Sequence, residues 1–195
     1  MSQIFPQLRG MLRVMPQNWE PRDWSEEQAH RVSEEVRRLR GTRSAQWLAN
    51  RTAELGYHVS RSVIADLENG RRRYVTTAEL VILARALDTA PIMLLYPPPY
   101  DEFIDARPEE SRPKLVAIQG FSGEVGDDYS TEYLDNVEPL RRARQIDELE
   151  WRRRRLLGDL DSSPARSDTQ YAMQLQSQLD WVTKQLSQLK GEDGG

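Results

Sequence analysis

A run of three prolines, Pro97-Pro98-Pro99, divides this 195-residue chain. Proline cannot continue an α-helix, and consecutive prolines favour extended backbone. The charge balance changes at the same place. Residues 25–97 carry eleven basic and nine acidic residues, whereas residues 98–138 carry three basic and eleven acidic residues. The sequence therefore predicts a domain over 25–97 followed by an acidic linker over 98–138.

The composition excludes several kinds of functional site. The chain has no cysteine and only two histidines, so disulfides, thiolate zinc sites, cysteine nucleophiles and histidine-rich metal sites are excluded. The first ten residues lack the pattern of a secretory signal, and the apolar run Ile92–Tyr96 is too short to cross a membrane. We expect a cytoplasmic protein that is not an enzyme, has no membrane contact and needs no cofactor.

Residues 25–96 have the pattern of several short helices. Ser25–Gln28 and Thr76–Glu79 each have the form of a capping box, and Gly41, Gly56 and Gly70 stand where helices would end. Apolar residues between these signals recur at helical spacing: Val32, Val36, Leu39, Leu48, Leu55, Ile64, Leu67, Leu80, Leu83 and Leu87. The pattern predicts four helices and a short fifth one that starts at Pro91.

The third of these helices carries the residues that point to a function. Short polar residues and an arginine (Ser60, Arg61 and Ser62) stand at its start, and basic residues follow its end. A helix that enters the major groove of DNA needs base-reading side chains in its first turn and phosphate-binding side chains at its flanks. The residues that we predict to contact DNA are Ser44, Gln46, Ser60, Arg61, Ser62, Ala65, Asp66, Arg71, Arg72 and Arg73. Glu68, by contrast, is expected to bond within the domain.

Residues 44–95 resemble the lambda-repressor-like helix-turn-helix family, also called the Cro-type or xenobiotic-response-element family. The resemblance depends on three stretches: Ser44–Ala49, Val59–Arg71 with its Leu-Glu-Asn-Gly-Arg ending, and Leu80–Leu95. It implies a five-helix DNA-binding domain in which Ser44 and Gln46 lie at the DNA backbone while Arg61, Ser62 and Asp66 read bases. The spacing from Ala49 to Val59 is longer than usual for the family and predicts a longer second helix or turn, as in a variant common in actinobacterial regulators.

Outside this domain, residues 1–24 are predicted to form an irregular arm held by Trp19 and Trp24. Lys114–Phe121 has the composition of one short strand within the linker, and residues 191–195 are expected to be disordered. Residues 139–190 show heptad spacing on either side of a break at Ser162-Ser163-Pro164. The apolar residues on this seam are Ile146, Leu149, Leu156, Leu160, Leu175, Leu179, Val182, Leu186 and Leu189.

The seam has two interpretations, a helical hairpin within one chain or pairing between two chains. We predict a C-terminal hairpin that also associates with a second copy through this seam. The fold class is then all-α, and the function is that of a nucleoid-associated transcriptional regulator, more a repressor than an activator. Its partners are double-stranded DNA and its own copies, and the sequence does not identify an inducer. The alternative is a protein-interaction adaptor whose C-terminal helices bind a partner and whose helix-turn-helix is a weak DNA tether.

Overall fold

A computed structural model describes residues 19–124, 129–162, 165 and 167–191. Within these residues the chain is mostly helical, as the all-α expectation requires, with one two-stranded sheet. The chain divides into two units, residues 1–118 and residues 119–195. Most of the predicted N-terminal arm and of the predicted disordered tail lie outside the described residues.

The five helices predicted for residues 25–96 are confirmed. They are α1 (Trp24–Arg40), α2 (Ala45–Glu54), α3 (Arg61–Glu68), α4 (Thr77–Ala86) and α5 (Pro91–Leu95). Their apolar faces meet in one core: Val32, Val36, Leu48, Ala49, Val59, Ile64, Leu67, Leu83, Ala84, Ala86, Leu87 and Leu94. This core fixes which face of each helix remains exposed.

The caps of these helices agree with the sequence patterns at all but one position. The capping box of Thr76 and Glu79 is present at the start of α4. The predicted box at Ser25 is wrong, because the Asp23 carboxylate accepts the hydrogen bond from the Glu26 amide at 2.9 Å and α1 starts earlier. An ionised carboxylate at a helix N-terminus is favoured over a hydroxyl by the helix dipole.

The segment 98–138 is structured at most of its described positions, so its prediction as a linker is wrong there. It contains β1 (Phe103–Arg107) and β2 (Glu110–Pro113), which pair antiparallel, and a helix α6 (Lys114–Phe121) in place of the predicted strand. A short apolar run does not distinguish a helix from a strand. Trp24 is held to this hairpin, since its indole Nε1 donates to the Asp105 carbonyl at 2.9 Å.

The second unit contains a pair of long helices. They are α7 (Thr131–Leu160) and α8 (Thr169–Gly191). Helix α7 begins before the predicted residue 139 because the Ser130 hydroxyl caps it by accepting from the Tyr133 amide at 3.2 Å. The two helices pack together around Leu149, Leu156, Ala165, Leu175, Leu179, Val182 and Leu186, with Ile146, Leu160 and Leu189 at the edge. The hairpin interpretation of the heptads is therefore confirmed.

Candidate nucleic-acid interface

Helix α3 has one buried face and one exposed face. Ile64 and Leu67 are buried in the core of the first unit, whereas Arg61 and Ser62 are exposed in the first turn. The Ser60 hydroxyl caps this turn, because it accepts a hydrogen bond from the Val63 amide at 3.3 Å. The packing of α3 thus directs an arginine and a serine away from the core at the helix N-terminus.

The turn between α2 and α3 is held by a buried threonine. The Thr52 hydroxyl donates to the Ala49 carbonyl at 2.9 Å and accepts from the Val59 amide at 3.0 Å. Gly56 has a φ of +91°, which residues with a side chain rarely adopt. The six residues from the end of α2 to the start of α3 therefore have a defined path.

The start of α2 presents a second set of predicted contact residues. Ser44 is exposed and caps α2, accepting from the Trp47 amide at 3.1 Å. Gln46 is also exposed, and its side-chain amide donates to Asn50 at 2.8 Å. Arg43 lies over the Trp47 ring at 4.0 Å and donates to the Leu39 carbonyl at 2.6 Å. These contacts fix the geometry of an exposed polar edge that carries one positive charge.

The three arginines after α3 have different environments. Arg71 is 76% exposed and makes one ion pair, with Asp66 at 3.3 Å. Arg72 is 16% exposed and donates two hydrogen bonds to Glu79, at 2.6 and 2.9 Å. Arg73 donates to Glu26 at 2.9 Å and lies over the Trp19 ring at 5.0 Å. The equivalent phosphate-binding role predicted for all three is not supported, because Arg72 and Arg73 are bound within the domain.

Hydrogen bonds from arginines contribute to lowering the pKa of both carboxylates, Glu26 and Glu79. Hydrogen bonds from Arg22 and Arg73 lower the pKa of Glu26 to about 2, although burial opposes the shift. Burial raises the pKa of Glu79, but hydrogen bonds from Arg72 and Thr76 outweigh it and lower the pKa below its usual value. Glu26 and Glu79 are therefore ionised at neutral pH and hold the segment after α3 in place.

Glu68 has the structural role expected for it. Its carboxylate is 9% exposed and accepts two hydrogen bonds from Arg40, at 2.7 and 2.6 Å. Its main-chain carbonyl accepts from Arg37. These contacts join the end of α3 to α1, so α3 is fixed to the domain at its C-terminal end as well as along its apolar face.

The structure thus brings together part of the predicted DNA-contact set. Arg61, Ser62 and Arg71 are exposed, and Ser60, Ala65 and Asp66 are partly exposed. The sequence does not reveal the positioning roles of Arg40 and Glu26, because each one pairs with a residue on another element. Glu79 is predicted as the cap of α4, but its ion pair with Arg72 is not. Thr52 was recognisable, since it is a polar residue at a buried helical position.

The residues predicted for association between chains are used within one chain. All nine seam residues, from Ile146 to Leu189, belong to the core of the α7–α8 hairpin or to its edge. The packing within the hairpin accounts for the burial of these side chains in one chain. Their further use in association between chains stays a prediction.

Comparison with protein-family models, with curated proteins and with solved structures gave no match. The functional assignment therefore depends on the residues and the geometry described above. Within the described residues, no helix is both long enough and apolar enough to cross a membrane.

Proposed function

We propose that the first unit binds double-stranded DNA in a sequence-specific manner, with α3 in the major groove. The observation that carries this proposal is the exposure of Arg61 and Ser62 in the first turn of α3, while the opposite face of the helix is buried. A recognition helix presents its N-terminal residues to base edges in this way. Arg61 has the reach and the two donors to pair with the O6 and N7 atoms of guanine.

The environment of α3 supports the same proposal. Arg71 is exposed and pairs with the exposed Asp66 carboxylate at 3.3 Å, so its guanidinium can exchange that partner for a phosphate. Asp66 then has a role of its own, because a carboxylate in the groove accepts a hydrogen bond from the N4 amino group of cytosine. Ser44 and Gln46 at the start of α2 supply polar groups for the backbone of the DNA.

The biological role that we propose is transcriptional regulation, by a repressor that blocks polymerase at its site. One domain of this size covers half of a symmetric operator, so repression from an inverted repeat requires two chains. The seam residues of the hairpin are occupied within each chain. Association of two chains on one operator would then add to the packing that already exists within each hairpin.

Selection of bound DNA from a random pool, with the full-length protein at near-physiological salt, tests this function. An enriched inverted repeat with half-site centres about 10 base pairs apart, or a multiple of that distance, would indicate a specific regulator that acts as a pair of chains. A single enriched half-site would indicate a specific regulator that acts as one chain. The absence of any enriched sequence would contradict the proposal and favour the adaptor.

A variant series identifies the residue that reads the sequence. Replacing Arg61 by Ala should lower the affinity for the selected site by about 1–3 kcal/mol and relax the preference at one base pair. Arg85→Ala is the matched control, because Arg85 is an exposed arginine on α4 outside the predicted contact set. Equal effects of the two variants on affinity and preference would show that Arg61 does not read a base.

A further inference from the structure

Helix α8 carries far fewer charges than the helix with which it forms the hairpin. Three of its 23 residues are charged, Asp180, Lys184 and Lys190, against fourteen of the 30 residues of α7. A helix face that stays in water usually carries charged side chains. The exposed surface of α8 thus differs from that of an ordinary solvent-facing helix.

The uncharged polar residues of α8 form a row together with one tryptophan. At 3.6 residues per turn the row occupies a strip about 80° wide and about 27 Å long, and none of its members belongs to the hairpin core. Trp181 lies near its middle, is 51% exposed and has the Arg152 guanidinium 5.6 Å from its ring centroid. The row consists of Gln170, Gln174, Ser177, Trp181, Gln185 and Gln188.

The charged residues of α8 lie outside this row. Asp180 and Lys184 line a cleft on another side of the helix, and Lys190 pairs with Glu150 of α7. Gln176, which is also outside the row, donates to the Asp180 carboxylate at 2.8 Å. Within the described residues, by contrast, the glutamine side chains of the row make no hydrogen bond. Their amides are therefore available to a partner.

The row reads almost the same in both directions from Trp181. Ser177 and Gln185 lie four residues before and after it, and Gln174 and Gln188 lie seven residues before and after it. Two copies of α8 that pack antiparallel about a two-fold axis at Trp181 therefore place uncharged residues against uncharged residues. A two-fold contact requires a self-complementary surface of this kind. Glutamine suits it, because its amide both donates and accepts hydrogen bonds.

We propose that two copies of this chain associate through the row on α8, packed antiparallel with Trp181 of each copy at the two-fold axis. A strongly charged partner would find no complementary charge on the row, whereas a second copy presents the same uncharged surface. The row is distinct from the heptad seam, which packs within each hairpin. The inference deepens the proposed function, in which an inverted repeat requires two chains, but the association itself needs no DNA.

Sedimentation velocity of the full-length protein without DNA, over a range of concentrations, measures this association. Trp181→Ala should raise the dissociation constant of the dimer at least about tenfold, because an interface tryptophan is lost from both copies. Trp151→Ala is the matched control: Trp151 is 55% exposed on α7, outside the row, and its loss should leave the association unchanged. Neither tryptophan belongs to the hairpin core, so the circular dichroism of both variants should match that of the wild type.

Paired charges test the antiparallel register. Gln174→Lys combined with Gln188→Glu places opposite charges against each other between the two copies, so the association should persist and become dependent on salt. Gln174→Lys combined with Gln188→Lys places like charges there and should weaken the association. In a parallel arrangement each residue would face its own counterpart, and both double variants would weaken the association.

Several results would overturn the proposal. The first is a protein that stays monomeric at every concentration. Equal losses in Trp151→Ala and Trp181→Ala would indicate a broader apolar surface with no axis at Trp181. Association that survives Trp181→Ala would belong to another surface, such as the heptad seam. Equal losses in the two double variants would exclude the antiparallel register. Because no DNA is present, a loss confined to Trp181→Ala supports the proposal even if no DNA sequence is selected.

Discussion

Arg72 follows a helix proposed to bind DNA, yet its contacts predict a structural role. Its guanidinium is 16% exposed and bonds to Glu79, which is 12% exposed, at 2.6 and 2.9 Å. Glu79 in turn caps α4 by accepting from the amide and the hydroxyl of Thr76, each at 2.9 Å. Replacing Arg72 by Ala would leave the Glu79 carboxylate in a buried position without its counter-charge.

The expected cost follows from these contacts. Removing one partner of a buried ion pair destabilises a protein by about 3–5 kcal/mol. Because Glu79 keeps its two hydrogen bonds from Thr76, we expect Arg72→Ala to lower the free energy of unfolding by about 3 kcal/mol. Arg71→Ala is the matched control, because it removes the neighbouring arginine from an exposed pair. Exposed ion pairs contribute about 0–1 kcal/mol, so the control should change stability little.

Urea unfolding followed by the amide NMR signals of α3 and α4 reports on the first unit alone. The difference in the free energy of unfolding between the wild type and Arg72→Ala should have its full value at neutral pH. It should shrink as the pH falls below the usual glutamate pKa of 4.5, because the folded pKa of Glu79 is lowered and the pair is lost on protonation. If Arg72→Ala costs no more than Arg71→Ala, the structural role assigned to Arg72 is wrong.

Three further changes follow from contacts in the first unit. Thr52→Val should destabilise this unit by about 1–3 kcal/mol, because the Val59 amide would be buried without an acceptor. Gly70→Ala should cost at least about 1–3 kcal/mol, since φ is +69° and the added carbon would lie 2.2 Å from the Trp19 ring. The stability that Glu26 contributes should be present above pH 4.5 and be lost as the pH falls towards about 2.

Each of these changes has a matched variant, and chemical denaturation measures all of them. Thr52→Ser retains the hydroxyl and should keep most of the stability. Gly158→Ala places a methyl group in open space within α7 and should not destabilise the hairpin. Glu26→Gln should make the acid dependence shallower. Equal stabilities within any matched pair would contradict the contact on which that prediction depends.

The part of the fold that the sequence predicts well is the part with local signals. Helices α1 to α5 each combine helical apolar spacing with a cap or a terminating residue, and all of these signals lie within a few residues of each other. The heptads of 139–190 predict the hairpin for the same reason. The wrong prediction of a strand at Lys114–Phe121 also has a local cause. Its apolar run has no alternation that would distinguish a strand from a helix.

The part that the sequence does not predict depends on partners that are distant along the chain. Arg71, Arg72 and Arg73 are identical as residues, and only the folded positions of Asp66, Glu79 and Glu26 distinguish them. Glu26 lies 47 residues before Arg73. For this reason residue type and spacing identified the basic cluster, whereas the packing decided which of its members remains exposed.

The closure of α7 on α8 within one chain has a consequence for how the protein responds to its own abundance. The helices are joined covalently, so their pairing is a first-order equilibrium that is the same at every protein concentration. Dilution would leave the α7–α8 pair intact, whereas it would separate two helices that belong to different chains. If the first unit binds DNA as proposed, the dependence of its occupancy on the amount of protein would arise from the binding step and from any association between chains, with the hairpin already formed in each molecule.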